Sequence, residues 1–512
     1  MIIKKQPLEE LPMHRQPIEH KNHRPIMTRR DLISRGYISF LSAFAAPSLL
    51  SMISTRAYGL ECGQAAQGAQ PIPFLVLDLG GGANFALGNV IVGKAGGQTD
   101  FLDDAGSAQL GCPADQNPKN DPTMAVPLND NAENPGLLFH RNSGFLAGFR
   151  AATSPETRQN MDGMILCNRS RDDSAANPIN PSYWIQAAGT RGQLVDIVGT
   201  GNSAAKGRSQ APQESVNNAS SVTVRNAAEA VSLIDPGLLE TLLPGQAENI
   251  VKAAETMSAS SLAKFQAKTA EQQVRDLVQC GYLKSFENLK NFTPDALNPT
   301  NDAVVQQALQ VNNIAGNPDI NNAFNIDNGQ DDEIATIAKL VIDGYAGVGT
   351  MTMGGYDYHG QGRRNQTIKD FNAGRAAGVA FEMAMRKERP LVMTCITDGG
   401  VAARGGADNS AEAAGRFSFS SDSGTRSSTI MLVYNPKGVT STGIRQLGSF
   451  QDGSGAVDQG AHPIANSNLN LTKAIALNYM ALSGTEGQFD QVVKGNPFGD
   501  IAKSIGFGKL DV

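Results

Sequence analysis

From residue 332 onward the chain alternates between two periodicities, and that alternation restricts the fold more than any other feature. Asp332–Asp343 (DEIATIAKLVID) spaces its apolar residues as an amphipathic helix does, and Val348–Met353 follows as a strand. Ile368–Lys387 reads as a helix with alanines and glycines on a face that can pack closely, ended by Arg389-Pro390. Leu391–Thr397 (LVMTCIT) is a strand running into Asp398-Gly399-Gly400. Ser428–Tyr434 (STIMLVY) is another, and Ile475–Ser483 begins a closing helix. Strand alternating with helix builds a mostly parallel sheet covered on both faces.

The earlier part of the chain supplies further strands. Pro71–Leu79 (PIPFLVLDL) is a buried strand that ends at Asp78 and meets Gly80-Gly81-Gly82. Met161–Cys167 and Leu194–Gly199 are two more. Residues 201–222 are rich in Ser, Asn, Gln and Ala and read as a loop. From about 225 to 290 the pattern turns helical, punctuated by Pro236 and Pro244, and Asn291–Asp331 reads as an irregular connection.

Upstream of this body stands a leader. Thr28-Arg29-Arg30-Asp31-Leu32-Ile33-Ser34 precedes a moderately apolar stretch, Tyr37–Ile53, and a small-x-small site at Ala57-Tyr58-Gly59. That is the layout of a cleaved signal peptide, and the paired arginines mark the twin-arginine (Tat) address. The stretch is short for a membrane span and contains Pro47, so no stable span is expected after cleavage. The organisation is then a polar extension over 1–26 and a Tat signal peptide over 27–59. One α/β domain over 60–512 follows, with a helical insertion at about 225–290. The protein is expected in the periplasm or otherwise outside the cytoplasm.

Charge narrows the partners. Residues 1–59 carry +5 of a formal −6, which leaves −11 on the remainder. An acidic body lacks the cationic face that nucleic acid requires. The expected partners are the Tat export machinery and a small molecule or protein of unknown identity. Cys62, Cys112, Cys167, Cys280 and Cys395 include no C-x-x-C pair, so a zinc ribbon and a thioredoxin motif are excluded. One or two disulfides, or buried free thiols at Cys167 and Cys395, remain open.

In open α/β sheets, ligands bind outside the carboxyl ends of the strands. Asp78 and Asp398 end two strands there, and Asp357 and His359 follow a third in Gly354-Gly355-Tyr356-Asp357-Tyr358-His359. After the leader only His140, His359 and His462 remain, and His462 lies in a Gly460-Ala461-His462-Pro463 loop. Carboxylates and imidazoles converging from several strand ends are the donor set of zinc or manganese. Each also has a plainer reading as a turn cap or surface pair. Arg363-Arg364 is either an anion contact or a solvated face. No G-x-G-x-x-G follows the first strand, and Ser420-Ser421-Asp422-Ser423-Gly424 is not a nucleophile elbow.

Taken with LDLGGGAN, GGYDYH and Thr397-Asp398-Gly399-Gly400, the leader and strand order resemble domain-of-unknown-function family 1501. These are exported bacterial proteins similar to the alkaline phosphatase and sulfatase superfamily. The resemblance implies a three-layer sandwich with a mostly parallel sheet. It assigns Asp78, Asp357, His359, Asp398 and His462 as metal ligands. It also implies a departure: the superfamily places a Ser, Thr or modified Cys nucleophile soon after the first aspartate, and here Gly80-Gly81-Gly82-Ala83-Asn84 holds none. Asn84 is left as an oxyanion contact, and hydrolysis would need a metal-activated water. Two functions follow: a divalent-metal-dependent phosphatase- or sulfatase-like hydrolase, or a non-catalytic binding protein on a degenerate hydrolase scaffold.

Overall fold

The structure, a computed structural model, describes residues 71–129, 135–170, 178–200, 219, 221–233, 294–311 and 329–511. Residues 1–70, Cys280 and most of the stretch 225–290 expected to be helical lie outside the described residues.

Twelve strands are described. They are β1 (Phe74–Leu79), β2 (Ala125–Pro127), β3 (Leu138–His140), β4 (Met161–Asn168), β5 (Val195–Gly199), β6 (Ser221–Thr223), β7 (Ala346–Met353), β8 (Leu391–Thr397), β9 (Val401–Ala407), β10 (Phe417–Asp422), β11 (Ser427–Tyr434) and β12 (Gln446–Leu447). Eight form one sheet in the order β12-β4-β11-β8-β1-β7-β5-β6. All six residues of β1 are buried, and it is parallel to β7 on one side and β8 on the other. Only β11 is reversed, antiparallel to β8 and β4. The remaining strands pair as the β2–β3 and β9–β10 ribbons. β11 returns from the β9–β10 excursion without a crossover helix, and a strand reached that way runs antiparallel to its neighbour.

Among the described residues, five helices cover the sheet: α1 (Gly144–Ala152), α2 (Ser182–Ala187), α3 (Gly329–Ile342), α4 (Arg363–Arg386) and α5 (Asn468–Ser483). Alternation along β1 divides them. Leu75, Leu77 and Leu79 point into a core shared with α1, α3 and α4. Phe74 and Val76 point into a second core with Trp184 and Ile185 of α2 and Leu471, Ile475 and Leu482 of α5. Two helix layers enclosing a mostly parallel sheet are what the alternation predicts. Among the described residues no helix is long and apolar enough to cross a membrane. Cys112, Cys167 and Cys395 are buried free thiols, held up in pKa by burial.

Three expectations are corrected. The loop read over 201–222 ends in the edge strand β6. The connection read over Asn291–Asp331 contains helices at Pro294–Leu297 and Ala303–Leu309, the latter capped by Asp302, whose carboxylate accepts from the Val304 and Val305 amides. Helix α4 starts at Arg363, five residues before Ile368, because Gly362 is its N-cap and Arg363 and Gln366 of its polar first turn are buried rather than solvated.

The glycines and alanines read on α4 meet helix α1, which carries its own small residues at Gly144, Gly148 and Ala152. A β-carbon built on Gly148 would lie 1.9 Å from the Phe371 carbonyl oxygen, and one on Gly374 1.9 Å from that of Phe145. Gly144 approaches the Thr367 carbonyl the same way, at 2.4 Å. Main chain thus rests on main chain, with no flexible side chain to yield. We predict that Gly148→Ala or Gly374→Ala lowers stability by at least about 2 kcal/mol in urea unfolding, the scale of core overpacking. Gly406→Ala, with nothing within 4 Å of its added carbon, should stay within about 0.5 kcal/mol.

Candidate metal centre at the carboxyl edge

At the carboxyl edge, β1 stops between β7 and β8. Asp78 is 2% exposed and accepts from the Thr352 hydroxyl at 3.3 Å. Asp398, also 2% exposed, accepts from the Gly81 amide at 3.1 Å, while its main-chain carbonyl accepts from the Ser170 hydroxyl. The turn Gly80–Gly82 passes between these ends. Gly81 has φ +125°, and a β-carbon there would lie 2.5 Å from the Asp357 amide nitrogen. Only glycine satisfies both conditions. The loop after β7 docks on this turn through its backbone: the Tyr356 amide donates to Gly80 O at 2.9 Å and the Tyr358 amide to Gly82 O at 3.4 Å.

That docking fixes Asp357 and His359. Asp357 Oδ1 accepts from the His359 amide at 3.2 Å and from ring Nδ1. The same Nδ1 lies 3.3 Å from Oδ1 of Asp422. Asp422 ends β10, and its ribbon rises from the Asp398-Gly399-Gly400 turn. One donor atom each from Asp357, His359 and Asp422 lies within 4.8 Å of the others. The three side chains are 47%, 49% and 64% exposed, so the group opens to solvent. No other set of three such side chains is gathered this closely among the described residues. Asp422 was passed over in the sequence because its segment fails as a nucleophile elbow. An acid standing before Ser423-Gly424, as Asp398 stands before Gly399-Gly400, was the available signal.

The other candidates are not among the side chains gathered in this group. His462 donates or accepts at Nε2 with the Ser504 hydroxyl at 2.9 Å, accepts at Nδ1 from the Ile464 amide at 3.3 Å, and stacks on Phe498. Both ring nitrogens are engaged in holding a loop, and burial lowers its pKa. His140 is fully buried and held neutral, pushed down to about 3 chiefly by burial and by the nearby Arg416. Asn84 is 2% exposed, and its amide Nδ2 donates to Ala86 O at 2.6 Å, within its own turn. Arg363 is fully buried with its guanidinium 4.8 Å over the Phe419 ring, and Arg364 pairs with Glu412 at 3.1 Å. Arg363 therefore supports the edge from within, while Arg364 stays partly exposed in its pair with Glu412.

Beneath the loop, the Tyr358 hydroxyl donates to Asp370 Oδ1 at 2.6 Å. Burial pushes the Asp370 carboxyl up to about 6, against the pull of Arg363 and the hydrogen bond from Tyr358. A folded pKa raised above the unfolded 3.8 gives stability that is present below pH 3.8 and lost as pH rises through about 6. Asp370→Asn keeps an acceptor for Tyr358 and removes this titration. Urea unfolding across pH 4 to 7 should show the variant gaining on the wild type by roughly 2–3 kcal/mol, with the gain complete above about pH 6. A constant offset at every pH would count against it.

Comparison with protein-family models, with curated proteins and with solved structures gives no match to this chain.

Proposed function

We propose that the chain is an exported protein of alkaline-phosphatase-like layout. In this reading it binds one divalent cation through Asp357, His359 and Asp422 and hydrolyses a phosphate or sulfate ester there. The observation that carries the reading is the approach of three donor atoms within 4.8 Å at the carboxyl edge, where α/β sheets bind ligands. Two carboxylates and an imidazole suit zinc or manganese, and half-exposed side chains leave coordination positions for substrate. The mostly parallel sheet with helices on both faces supports the layout. The twin arginines and the apolar stretch of residues 27–59 support export.

A bound cation would supply Lewis-acid polarisation of the ester oxygen. The chain's own residues do the positioning. Asp357 orients the His359 ring by accepting from its Nδ1 and main-chain amide. Lys369 donates to the Gly355 carbonyl on the same loop, and its ammonium attracts the Asp357 carboxylate. Asp398 holds the Gly81 amide and so keeps the turn under the loop.

One observation favours the alternative of binding without turnover. No hydroxyl or thiol stands in Gly80–Asn84, and the buried Asn84 side chain spends its amide on its own turn.

Elemental analysis of the mature protein, isolated from the periplasm without added metal or chelator, tests the reading. We expect near-stoichiometric zinc or manganese in the wild type. It should be lost in Asp422→Asn combined with His359→Ala, together with cleavage of p-nitrophenyl phosphate or sulfate. A well-folded, metal-free wild type would sink the hydrolase reading. Metal without turnover would select the binding protein. Arg29→Lys with Arg30→Lys should leave the precursor in the cytoplasm, and periplasmic arrival of that variant would remove the Tat assignment.

A further inference from the structure

We infer that Gln366 sets the separation between the two halves of the Asp357/His359/Asp422 group, and so acts as a positioning residue for it; the inference rests on the cation-site reading above. The halves come from segments far apart in sequence. One is the loop that follows β7, and the other is the end of β10. Gln366 lies in the first turn of α4, between them, and is fully buried.

A buried glutamine must place an acceptor and two donor hydrogens. Here all of them go to these two segments. Oε1 accepts from the Phe419 amide at 3.2 Å, and Nε2 lies 2.8 Å from the Phe419 carbonyl oxygen. One side chain thus pairs with both main-chain groups of a β10 residue, as a neighbouring strand would. The same Nε2 lies 2.8 Å from the carbonyl oxygens of Tyr358 and of Gln361. Those two carbonyls bracket His359.

The local need for such a clamp is visible in β10. Its register against β9 shifts between Phe417 and Phe419 and again between Phe419 and Ser421. Gln366 supplies main-chain partners at the residue between the two irregularities. Asp422 stands three residues further along. The neighbouring contacts pull in the same sense: the Arg363 amide donates to the Ser418 hydroxyl at 3.0 Å, and the Tyr358 and Phe419 rings lie 6.4 Å apart. No other side chain has this reach and chemistry. Glutamate would set a carboxylate against three carbonyl oxygens, asparagine is one methylene short, and methionine fills the space without bonding.

The test uses the mature protein without added metal and reads the ring ¹⁵N and ¹³C chemical shifts of His359 at one fixed pH. His359→Gln supplies the assignment, and Asp422→Asn gives the change produced when the second carboxylate is lost. Gln366→Met should reproduce much of that change, and the double variant should change less than the sum of the two, because both act on one contact. Zinc or manganese affinity should fall about 10-fold or more, the usual effect of removing a residue that orients ligands. If Gln366→Met does not fold, Gln366→Asn, which keeps the amide but loses its reach, decides the matter. Wild-type shifts and affinity in a folded Gln366 variant would overturn the inference, even if its thermal stability drops. So would full additivity with Asp422→Asn. A wild type that binds neither metal removes the cation reading alone, since the metal-free shifts still decide whether Gln366 holds Asp422 against His359.

Discussion

The carboxyl edge depends on a seam where main chain meets main chain, with the Asp398 carboxylate accepting from the turn's Gly81 amide. The turn Gly80–Gly82 leaves the central strand β1 and receives the loop after β7 through two main-chain hydrogen bonds. Gly81 permits an approach at which any β-carbon would collide with the Asp357 amide. Because β1 is held by parallel partners on both sides, the turn inherits the position of a fully buried central strand. The loop takes its position from the turn, and Asp357 and His359 take theirs from the loop. A substitution that shifted this seam would move the whole edge without touching any charged group.

The parts of the fold that were legible in the sequence are those where local pattern and tertiary environment agree. Leu391–Thr397 is apolar but for Thr394 and Thr397 because it is covered on both faces. Met161–Cys167 and Ser428–Tyr434 carry the same signature, and each is found as a strand within one residue of its expected bounds. What did not show was pairing. Nothing in STIMLVY states that β11 runs against its neighbours, because strand direction is set by how the chain returns from the β9–β10 ribbon. Helix α1 was hidden for a different reason. Its sequence, GFLAGFRAA, spends two positions on glycine, the residue least inclined to helix apart from proline, and is helical because α4 needs close contact there.

The candidate site was legible only in part. Asp357 and His359 stand out as an acid and a rare histidine in a glycine-rich loop, and they are together in the structure. Asp422 carries only the weak signal of an acid before Ser423-Gly424, since it arrives from a ribbon whose pairing with β9 is irregular. Asp78, Asp398 and His462 were grouped with them by sequence position relative to strand ends. That criterion gives the edge of the sheet but not the direction of a side chain, and the His462 ring is committed to Ser504 and Ile464. Arg363 shows the converse failure. A charged pair at a helix start reads as solvent-facing, yet this guanidinium lies against an aromatic ring in the interior.

The packing of α1 on α4 has a mechanical meaning for the edge above it. The contact reaches as far as Thr367, the residue next to Gln366, so α4 is braced against a neighbouring backbone from its second turn on. A braced helix end cannot swing on a side-chain hinge, because none lies at the fulcrum. The spacing between loop and ribbon should then behave as a dimension of the core, with the low compressibility of close-packed matter.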